Sequence, residues 1–161
     1  MRVSALIGIV ALIAATSFWE TQAMATDKLA TDGLITIKSS FGPGDTMKRL
    51  EAEVKAKGLT VFAHIDHAAG AAAVGLPLRP TDLIIFGNAK GGTPLMQQVQ
   101  TIGIDLPLKA LVWQDEQGTT WLSYNDPAYM AGRHGIGEPG KPAVTALTGA
   151  LHAIATKATA P

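Results

Sequence analysis

Histidine, lysine and asparagine side chains recur at positions where the sequence predicts that a strand or a helix ends. Imidazole, ammonium and amide groups together bind an anion or a carbonyl, because they supply charge and directional hydrogen bonds. If those ends converge, the side chains share one edge of the sheet. We therefore predict a polar small-ligand pocket formed by His67, Asn88, Lys109, Tyr124, Asn125 and His134.

Two histidines near the end of one predicted strand suggest a metal site. His64 and His67 are three residues apart, so in an extended strand they point to opposite faces. They could share an ion only if the chain turns at Asp66, with His134 as a third ligand. The sequence favours the alternative, in which these histidines form local hydrogen bonds and hold no metal.

A glycine-rich segment, residues 87–92, has the Gly-x4-Gly spacing of a phosphate-binding loop. Thr93 and Pro94 stand where such a loop has lysine followed by serine or threonine, so the groups that contact the outer phosphates and magnesium are missing. Free amides at the start of a following helix could still hold an anion weakly. The sequence favours a simpler role, in which the glycines let a strand turn into a helix.

Most catalytic classes lack the residues they need. The chain has no cysteine, hence no thiol nucleophile, thiolate metal site or disulfide, and no serine lies in a Gly-x-Ser-x-Gly turn. The alternative to simple binding is a cofactor- or metal-assisted enzyme in which His67 or His134 acts as general acid or base. Either histidine could also ligate a non-covalent haem, but the residues identify no cofactor.

Apolar periodicity and turn residues predict the elements that position these side chains. Met47, Leu50 and Val54 recur at helical spacing. Thr93 followed by Pro94 predicts the start of another helix. The predicted order is strand 34–38, helix 43–57, strand 59–66, a short helix within 68–75, strand 81–86, helix 94–100, strands 106–114 and 119–125, helix 126–133, a linker, and a terminal amphipathic helix.

The turn at residues 115–118 predicts the register of a hairpin. If Asp115 and Thr119 close the turn, Trp113 faces Trp121 on one side of the sheet, and mostly aliphatic residues lie on the other. The aliphatic side suits contact with the helices. The tryptophan side is then either free for a partner or ligand, or ordinary cross-strand packing.

Length and charge restrict the class of protein. The chain has 161 residues, which suits one domain, and 47% hydrophobic residues, which allow a core. Its 13 basic and 13 acidic residues leave no net charge. The sequence therefore lacks the basic excess that attracts phosphate backbones or anionic lipid, and we expect neither nucleic acid nor a membrane as partner of the mature protein.

The N-terminal 25 residues have the pattern of a secretory signal peptide. Arg2 precedes an apolar stretch, and Ala-Met-Ala at 23–25 places small residues at the positions that determine cleavage. The apolar stretch is shorter than the ~20 residues that span a membrane. We expect a signal peptide over residues 1–25 and a periplasmic or secreted mature protein; an uncleaved anchor is the alternative.

Several ordered motifs resemble one known family. They are His64-Ile65-Asp66-His67, the segment from Leu78 to Asn88, Gly92-Thr93-Pro94-Leu95-Met96, Asp105-Leu106-Pro107-Leu108-Lys109, Tyr124-Asn125-Asp126-Pro127 and Arg133-His134. Over about residues 37–136, the chain is similar to the bacterial and archaeal family known as domain of unknown function 302. The resemblance implies a TBP-like α+β fold, β-α-β(4)-α with a curved antiparallel sheet and helices on one face. It also implies homodimers and no established activity, and likeness to the TATA-binding fold does not carry DNA binding.

These observations combine into one domain organisation and one leading hypothesis. Residues 26–136 are predicted to form a single α+β domain, and residues 137–161 a linker and an appended amphipathic helix. We expect an exported, non-enzymatic domain that binds a small ligand in the polar pocket. The alternatives are the acid–base enzyme and a structural homodimer whose interface is the face that carries Trp113 and Trp121.

Overall fold

The structure is a computed structural model that describes residues 33–161. The predicted signal peptide, residues 1–25, lies outside the described residues. Two 3-10 turns, Gln100–Ile104 and Glu138–Gly140, accompany the regular elements. In chain order those are β1 (Leu34–Lys38), α1 (Pro43–Ala56), β2 (Thr60–Asp66), α2 (His67–Ala73), β3 (Thr81–Gly87), α3 (Ala89–Gln98), β4 (Leu108–Gln114), β5 (Thr120–Asn125), α4 (Pro127–Arg133) and α5 (Lys141–Thr159).

The five strands form one antiparallel sheet in the order β1-β5-β4-β3-β2. Strands alternate their side chains between two faces, and one face of β3, β4 and β5 is aliphatic. Ile84, Phe86, Val112 and Leu122 on that face are buried in the core with residues of α1 and α5. The α+β class predicted from the sequence is confirmed.

Helix α1 owes its position to one apolar stripe and one basic residue. Met47, Leu50 and Val54 are all buried against the sheet, as their helical spacing predicts. Arg49 donates hydrogen bonds to the carbonyls of Lys157, Ala158 and Ala160, with distances of 3.0, 3.2 and 2.8 Å. Cationic side chains suit the carbonyl end of a helix, so Arg49 fastens α1 to the end of α5.

Helix α5 is part of the core. The sequence led us to expect a domain that ends at residue 136 and an appended helix after it. In the structure this helix, α5, places Leu151, Ile154, Ala155 and Ala158 in the same buried cluster as the strands. The apolar stripe of α5 therefore completes the helical layer beside α1.

Helix α3 begins earlier than its strongest sequence signal. Thr93 and Pro94 predicted a start there, but the helix runs from Ala89 and holds Pro94 inside it. The reason is Asn88, whose side-chain oxygen accepts a hydrogen bond from Gly91 N at 2.8 Å and caps the first turn. Pro94 cannot donate the backbone hydrogen bond of a normal interior position, so α3 is intrinsically a weak helix.

The hairpin register is confirmed. Trp113 pairs with Trp121, and their rings stack with centroids 6.2 Å apart. Asp115 N donates to Thr119 O at 2.9 Å, which closes the turn, and Gly118 adopts a φ of 78°. Trp121 Nε1 donates to Asp115 Oδ2 at 2.7 Å, and this hydrogen bond lowers the pKa of the Asp115 carboxyl.

Candidate functional site

The structure does not bring the six predicted pocket residues together. His67 follows the end of β2 where Asp66 pairs with Asp82, whereas Asn88 follows the opposite end of β3. Lys109 pairs with Ile85, close to that second end. With a rise of about 3.3 Å per residue, the ends of these seven-residue strands lie about 20 Å apart. His67 is therefore remote from Asn88 and Lys109.

The side chains of Tyr124 and Asn125 lie on opposite faces of the sheet, because they are successive residues of β5. Tyr124 is 3% exposed and belongs to the core beneath the helices. Asn125 is the last residue of β5 and is exposed. Successive residues of a strand face opposite sides of the sheet, so the two side chains cannot line one pocket.

The three candidate metal ligands are likewise apart. His64 Nε2 lies 3.5 Å from Asp82 Oδ1 on the β2–β3 pair, and that oxygen is buried without a hydrogen bond. His134 follows α4 and contacts Asp105 instead. Within residues 33–161, no three acidic, histidine or cysteine side chains are grouped as a metal site.

One polar cluster does form, and it joins two of the predicted residues, His134 and Lys109, through Asp105. His134 Nε2 is 2.7 Å from Asp105 Oδ2, and Arg133 donates to Asp105 Oδ1 at 3.1 Å. Lys109 Nζ donates to the carbonyl of Asp105 at 3.2 Å. We call Thr101, Asp105, Lys109, Arg133 and His134 the Asp105 cluster; Thr101 Oγ1 lies 3.3 Å from His134 Nδ1.

The Asp105 cluster holds an imidazole between a carboxylate and a hydroxyl. If His134 donates from Nε2 to Asp105, its Nδ1 is left to accept from Thr101. This is the order of groups that activates a hydroxyl in nucleophilic enzymes. The His134 side chain is only 8% exposed, so its clearest role is to tie the segment before β4 to the end of α4. An acid–base role for His134 stays a hypothesis.

An apolar cavity lies at the end of the sheet where β3 meets α3. Its volume is about 290 Å³, and its walls come from β2, β3, α3, the segment before β4, and α5. The lining residues are Leu59, Phe62, Gly87, Asn88, Ala89, Gly91, Gly92, Met96, Leu106, Pro107, Leu108, Leu147, Ala150, Leu151 and Ile154. Asn88 is the one predicted pocket residue in this lining.

Two glycines of α3 form part of the cavity wall. A carbon added to Gly92 would contact Leu106 Cδ1 at 3.4 Å and Met96 Cε at 3.7 Å. A carbon on Gly91 would contact Leu147 Cδ2 at 3.4 Å. The glycine-rich segment therefore leaves room beside the helix. The Gly91 amide is already bound by Asn88, which weakens the case for an anion held by free amides.

The sheet face opposite the helices is a third surface. Trp113, Trp121 and Leu111 are half-buried there, and Ile65 of β2 on the same face is 39% exposed. Trp113 Nε1 donates to Ser123 Oγ at 2.9 Å, and Trp121 Nε1 to Asp115. Because both indole donors have partners, the rings present a face without unpaired donors.

Sequence reasoning missed the cavity because its walls come from segments far apart in the chain. Gly91 and Gly92 were identified, but as a turn rather than as a cavity wall. The sequence signal that could have indicated the cavity is the pair of consecutive glycines inside a helix, because glycine destabilises a helix relative to alanine. The sequence predicted no role for Asp105, because its contact with His134 depends on α4 returning to the start of β4.

The fold and its cavity define a class: a small α+β domain with helices packed on one face of a five-stranded antiparallel sheet. The chain matches the family described as "Domain of unknown function DUF302" over residues 35–154, and it belongs to that family. The match extends into α5, in agreement with the packing of that helix.

A solved structure supports the same fold. The crystal structure of an uncharacterized conserved DUF302 protein from Bacillus stearothermophilus is similar with a TM-score of 0.71. It is 22% identical in sequence, and the similarity covers 79% of this chain and 98% of that one. At this identity the likeness shows the fold alone.

Curated proteins similar to this chain are named as fluoride-specific ion channels. The chain is 42% identical over 153 residues to "Fluoride-specific ion channel FluC 1" of Brucella suis biovar 1, covering 91% of this chain and 60% of the relative. It is also 42% identical to FluC 2 of Brucella melitensis biotype 1, covering 57% of that protein. The chain thus spans less than two thirds of these relatives. In residues 33–161, no helix is both long and apolar enough to cross a membrane.

Proposed function

We propose that this protein is an exported domain that binds a small apolar ligand in the cavity between the sheet, α3 and α5. The observation that carries the proposal is the cavity of about 290 Å³ with its almost wholly apolar lining. Apolar concave sites with a few polar groups are the usual form of small-molecule sites. Export rests on the signal-peptide pattern of residues 1–25. The ligand site thus differs from the polar pocket that the sequence suggested.

A cavity-filling variant tests the proposal. We expect the protein to bind the neutral, polarity-sensitive dye Nile red saturably, and Gly92→Leu to weaken binding at least tenfold, because the added side chain occupies or displaces the cavity walls. Gly149→Leu is the matched control: it makes the same change in α5, where a carbon on Gly149 would meet open space. Fluorescence titration measures both.

His67→Ala provides a further control, because His67 lies at the other end of the sheet from the cavity. We expect it to bind the dye as the wild type does. Equal binding by Gly92→Leu and Gly149→Leu would contradict the cavity as the ligand site. Native mass spectrometry of protein purified from the exported compartment would show directly whether a molecule stays bound.

We also propose that two copies pair through the sheet face that carries Trp113 and Trp121. In support, Trp113, Trp121, Leu111 and Ile65 all lie on this face, and the two indole donors already have partners, so a second copy could cover the rings without leaving an indole donor unpaired. Homodimers use the same patch on both copies, as a broad sheet face allows.

Trp121→Asp is expected to convert the dimer to a monomer, because it replaces an aromatic contact by a buried charge. Light scattering after size-exclusion chromatography measures the mass, and circular dichroism checks the fold. Thr36→Arg adds a charge on the same face without removing a tryptophan. Ile104→Asp, at a residue 73% exposed outside the sheet, should leave the mass unchanged. If the wild type is a monomer, or if Trp121→Asp and Thr36→Arg both remain dimers, the proposed interface is wrong.

The curated relatives favour a second candidate function: this domain acts beside a fluoride channel. In proteins named as fluoride-specific channels, a region 42% identical to this chain shares a polypeptide with further sequence that the match does not include. We propose that the further sequence carries conduction and that this domain assists it. Deleting the gene should then lower the fluoride concentration at which the cells stop growing. Unchanged tolerance, with chloride as the control salt, would contradict the proposal.

A further inference from the structure

We infer that the Asp105 cluster hydrolyses small carboxylic esters, with Thr101 as the nucleophile and His134 as the base that activates it. The inference goes beyond the apolar ligand site and does not rest on it. None of the cluster residues, which all belong to the described part of the chain, lines the cavity. The observations behind it are the order of the hydrogen bonds around His134, the burial of each group, and an exposed isoleucine beside Thr101.

The hydrogen bonds around His134 determine which ring nitrogen carries the proton. An ionised carboxylate only accepts, so the Nε2 atom of His134, 2.7 Å from Asp105 Oδ2, is the protonated one. The neutral imidazole then has its lone pair on Nδ1, which lies 3.3 Å from Thr101 Oγ1. The Thr101 hydroxyl is therefore the donor of that hydrogen bond, and Nδ1 is placed to take its proton. A carboxylate, an imidazole and a hydroxyl in this order form the catalytic unit of nucleophilic hydrolases.

Burial separates a fixed base from an accessible nucleophile. The side chains of His134 and Asp105 are 8% and 12% exposed, and Arg133 donates to the same carboxylate at 3.1 Å. The base is thus held in place before a substrate binds, which lowers the entropic cost of the reaction. Thr101, in contrast, is exposed to solvent. A substrate can reach the hydroxyl without displacing the imidazole.

An apolar side chain lies beside the nucleophile. Thr101 and Ile104 are three residues apart in the 3-10 turn Gln100–Ile104. Such a turn has three residues per turn, so the two side chains stand on the same side of it. Ile104 is 73% exposed. This neighbour suits the short hydrocarbon part of an acyl group, because contact with it removes apolar surface from water.

The charge of the cluster favours attack on an ester. Lys109 and Arg133 are cations, and Asp105 is the single anion between them. When the hydroxyl attacks, negative charge develops on the carbonyl oxygen of the substrate, and a positive field stabilises that charge. The Arg133 side chain is 56% exposed, which leaves N–H donors open to solvent beside the cluster.

The reaction needs only the ester and water. Thr101 Oγ1 forms a bond to the carbonyl carbon while its proton moves to His134 Nδ1. The bond to the leaving alcohol then breaks, and the alcohol oxygen takes that proton, which leaves an acyl group on Thr101. Water attacks the acyl carbon, gives a proton to Nδ1, and releases the carboxylic acid as the proton returns to Oγ1. The sum is ester plus water to acid plus alcohol, with nothing oxidised or reduced.

Hydrolysis of p-nitrophenyl butyrate tests the nucleophile. Thr101→Val keeps the branched shape and removes the hydroxyl, so we expect kcat/KM to fall at least about 100-fold. Thr101→Ser restores a hydroxyl and should recover most of the loss. Thr156→Val makes the same change at an exposed threonine of α5 and should leave the rate unchanged. Mass spectrometry of the protein mixed with the ester should find a butyryl group on Thr101, and none in Thr101→Val.

Two variants test the groups behind the nucleophile. His134→Gln should lower kcat at least about 100-fold, whereas His152→Gln, at an exposed histidine of α5, should not change it. Asp105 is a positioning residue that acts through His134. We expect Asp105→Asn to lower kcat and to leave KM unchanged, because it no longer fixes the protonated nitrogen. A purely structural Asp105 would change the unfolding midpoint but not kcat of the folded protein.

A change of acyl chain tests the contact with Ile104. The wild type should have a lower KM for p-nitrophenyl butyrate than for the acetate, because the longer chain covers more of the isoleucine. Ile104→Ala should remove most of that difference and leave kcat unchanged. Equal KM values for the two esters in the wild type would contradict the acyl contact.

The outcomes separate this inference from the proposed function. Butyrate ester hydrolysis that Thr101→Val leaves unchanged, or a wild-type rate no higher than that of free imidazole, would overturn the esterase. Thr101→Val should bind Nile red as the wild type does, because Thr101 does not line the cavity. If hydrolysis fails, the apolar ligand site therefore stands, and if dye binding fails, the esterase stands.

Discussion

A chain that ends after Gly140 is expected to lose cooperative unfolding. The truncation removes α5, whose Leu151, Ile154, Ala155 and Ala158 are buried against the sheet and α1. Truncating a buried leucine or isoleucine to alanine alone costs about 2–5 kcal/mol, and a whole domain is stable by only about 5–15 kcal/mol. Loss of the full helix should therefore exceed the available stability.

Urea denaturation followed by circular dichroism measures the effect. Ile154→Ala in the full-length chain should retain a single transition with a free energy of unfolding lowered by about 2–5 kcal/mol. Gly149→Ala, at an exposed position of the same helix, should leave it unchanged or raise it by up to about 1 kcal/mol. A truncated chain that still unfolds cooperatively would show that residues up to Gly140 form a complete domain, as the sequence suggested.

The variant Asp105→Ala is expected to lower the free energy of unfolding by about 1–3 kcal/mol. The reason is that the mostly buried His134 side chain loses the carboxylate to which it is hydrogen-bonded. The carboxylate bonds His134 Nε2 at 2.7 Å and Arg133 at 3.1 Å, and its side chain is only 12% exposed. His134 is 8% exposed, so water replaces the lost partner poorly.

Two variants make this prediction specific. Asp105→Asn keeps an oxygen acceptor and should recover part of the loss. Asp45→Ala removes an aspartate that is 71% exposed and 3.8 Å from Lys48, so it should cost less than about 1 kcal/mol. Equal unfolding midpoints for Asp105→Ala and Asp45→Ala would mean that the Asp105 cluster does not stabilise the fold.

Local patterns predicted most of the fold, since the contacts that decide them lie close in sequence. Met47, Leu50 and Val54 determine the buried face of α1 by their spacing alone. The pairing of Trp113 with Trp121 follows from the short turn, residues 115–119, between their strands. The start of α3 was misplaced because two cap signals compete, and the Asn88 side chain prevailed over Thr93 and Pro94.

Local sequence patterns could not predict which side chains of the candidate site lie together. His67 and Asn88 both stand at strand ends, but antiparallel pairing of β2 with β3 sends them to opposite ends of the sheet. Tyr124 and Asn125 stand on opposite faces because a strand alternates its side chains. Lys109 and His134 do meet, through Asp105, a residue for which the sequence predicted no role.

The sequence by itself determined the family, the α+β class and the apolar faces, because these depend on residue types and on periods of two or 3.6 residues. The tertiary structure alone decided three other features: α5 belongs to the core, the concave site is apolar, and the polar groups are scattered except around Asp105. Each of these depends on contacts between residues tens of positions apart, and such contacts follow from the order and direction of the strands.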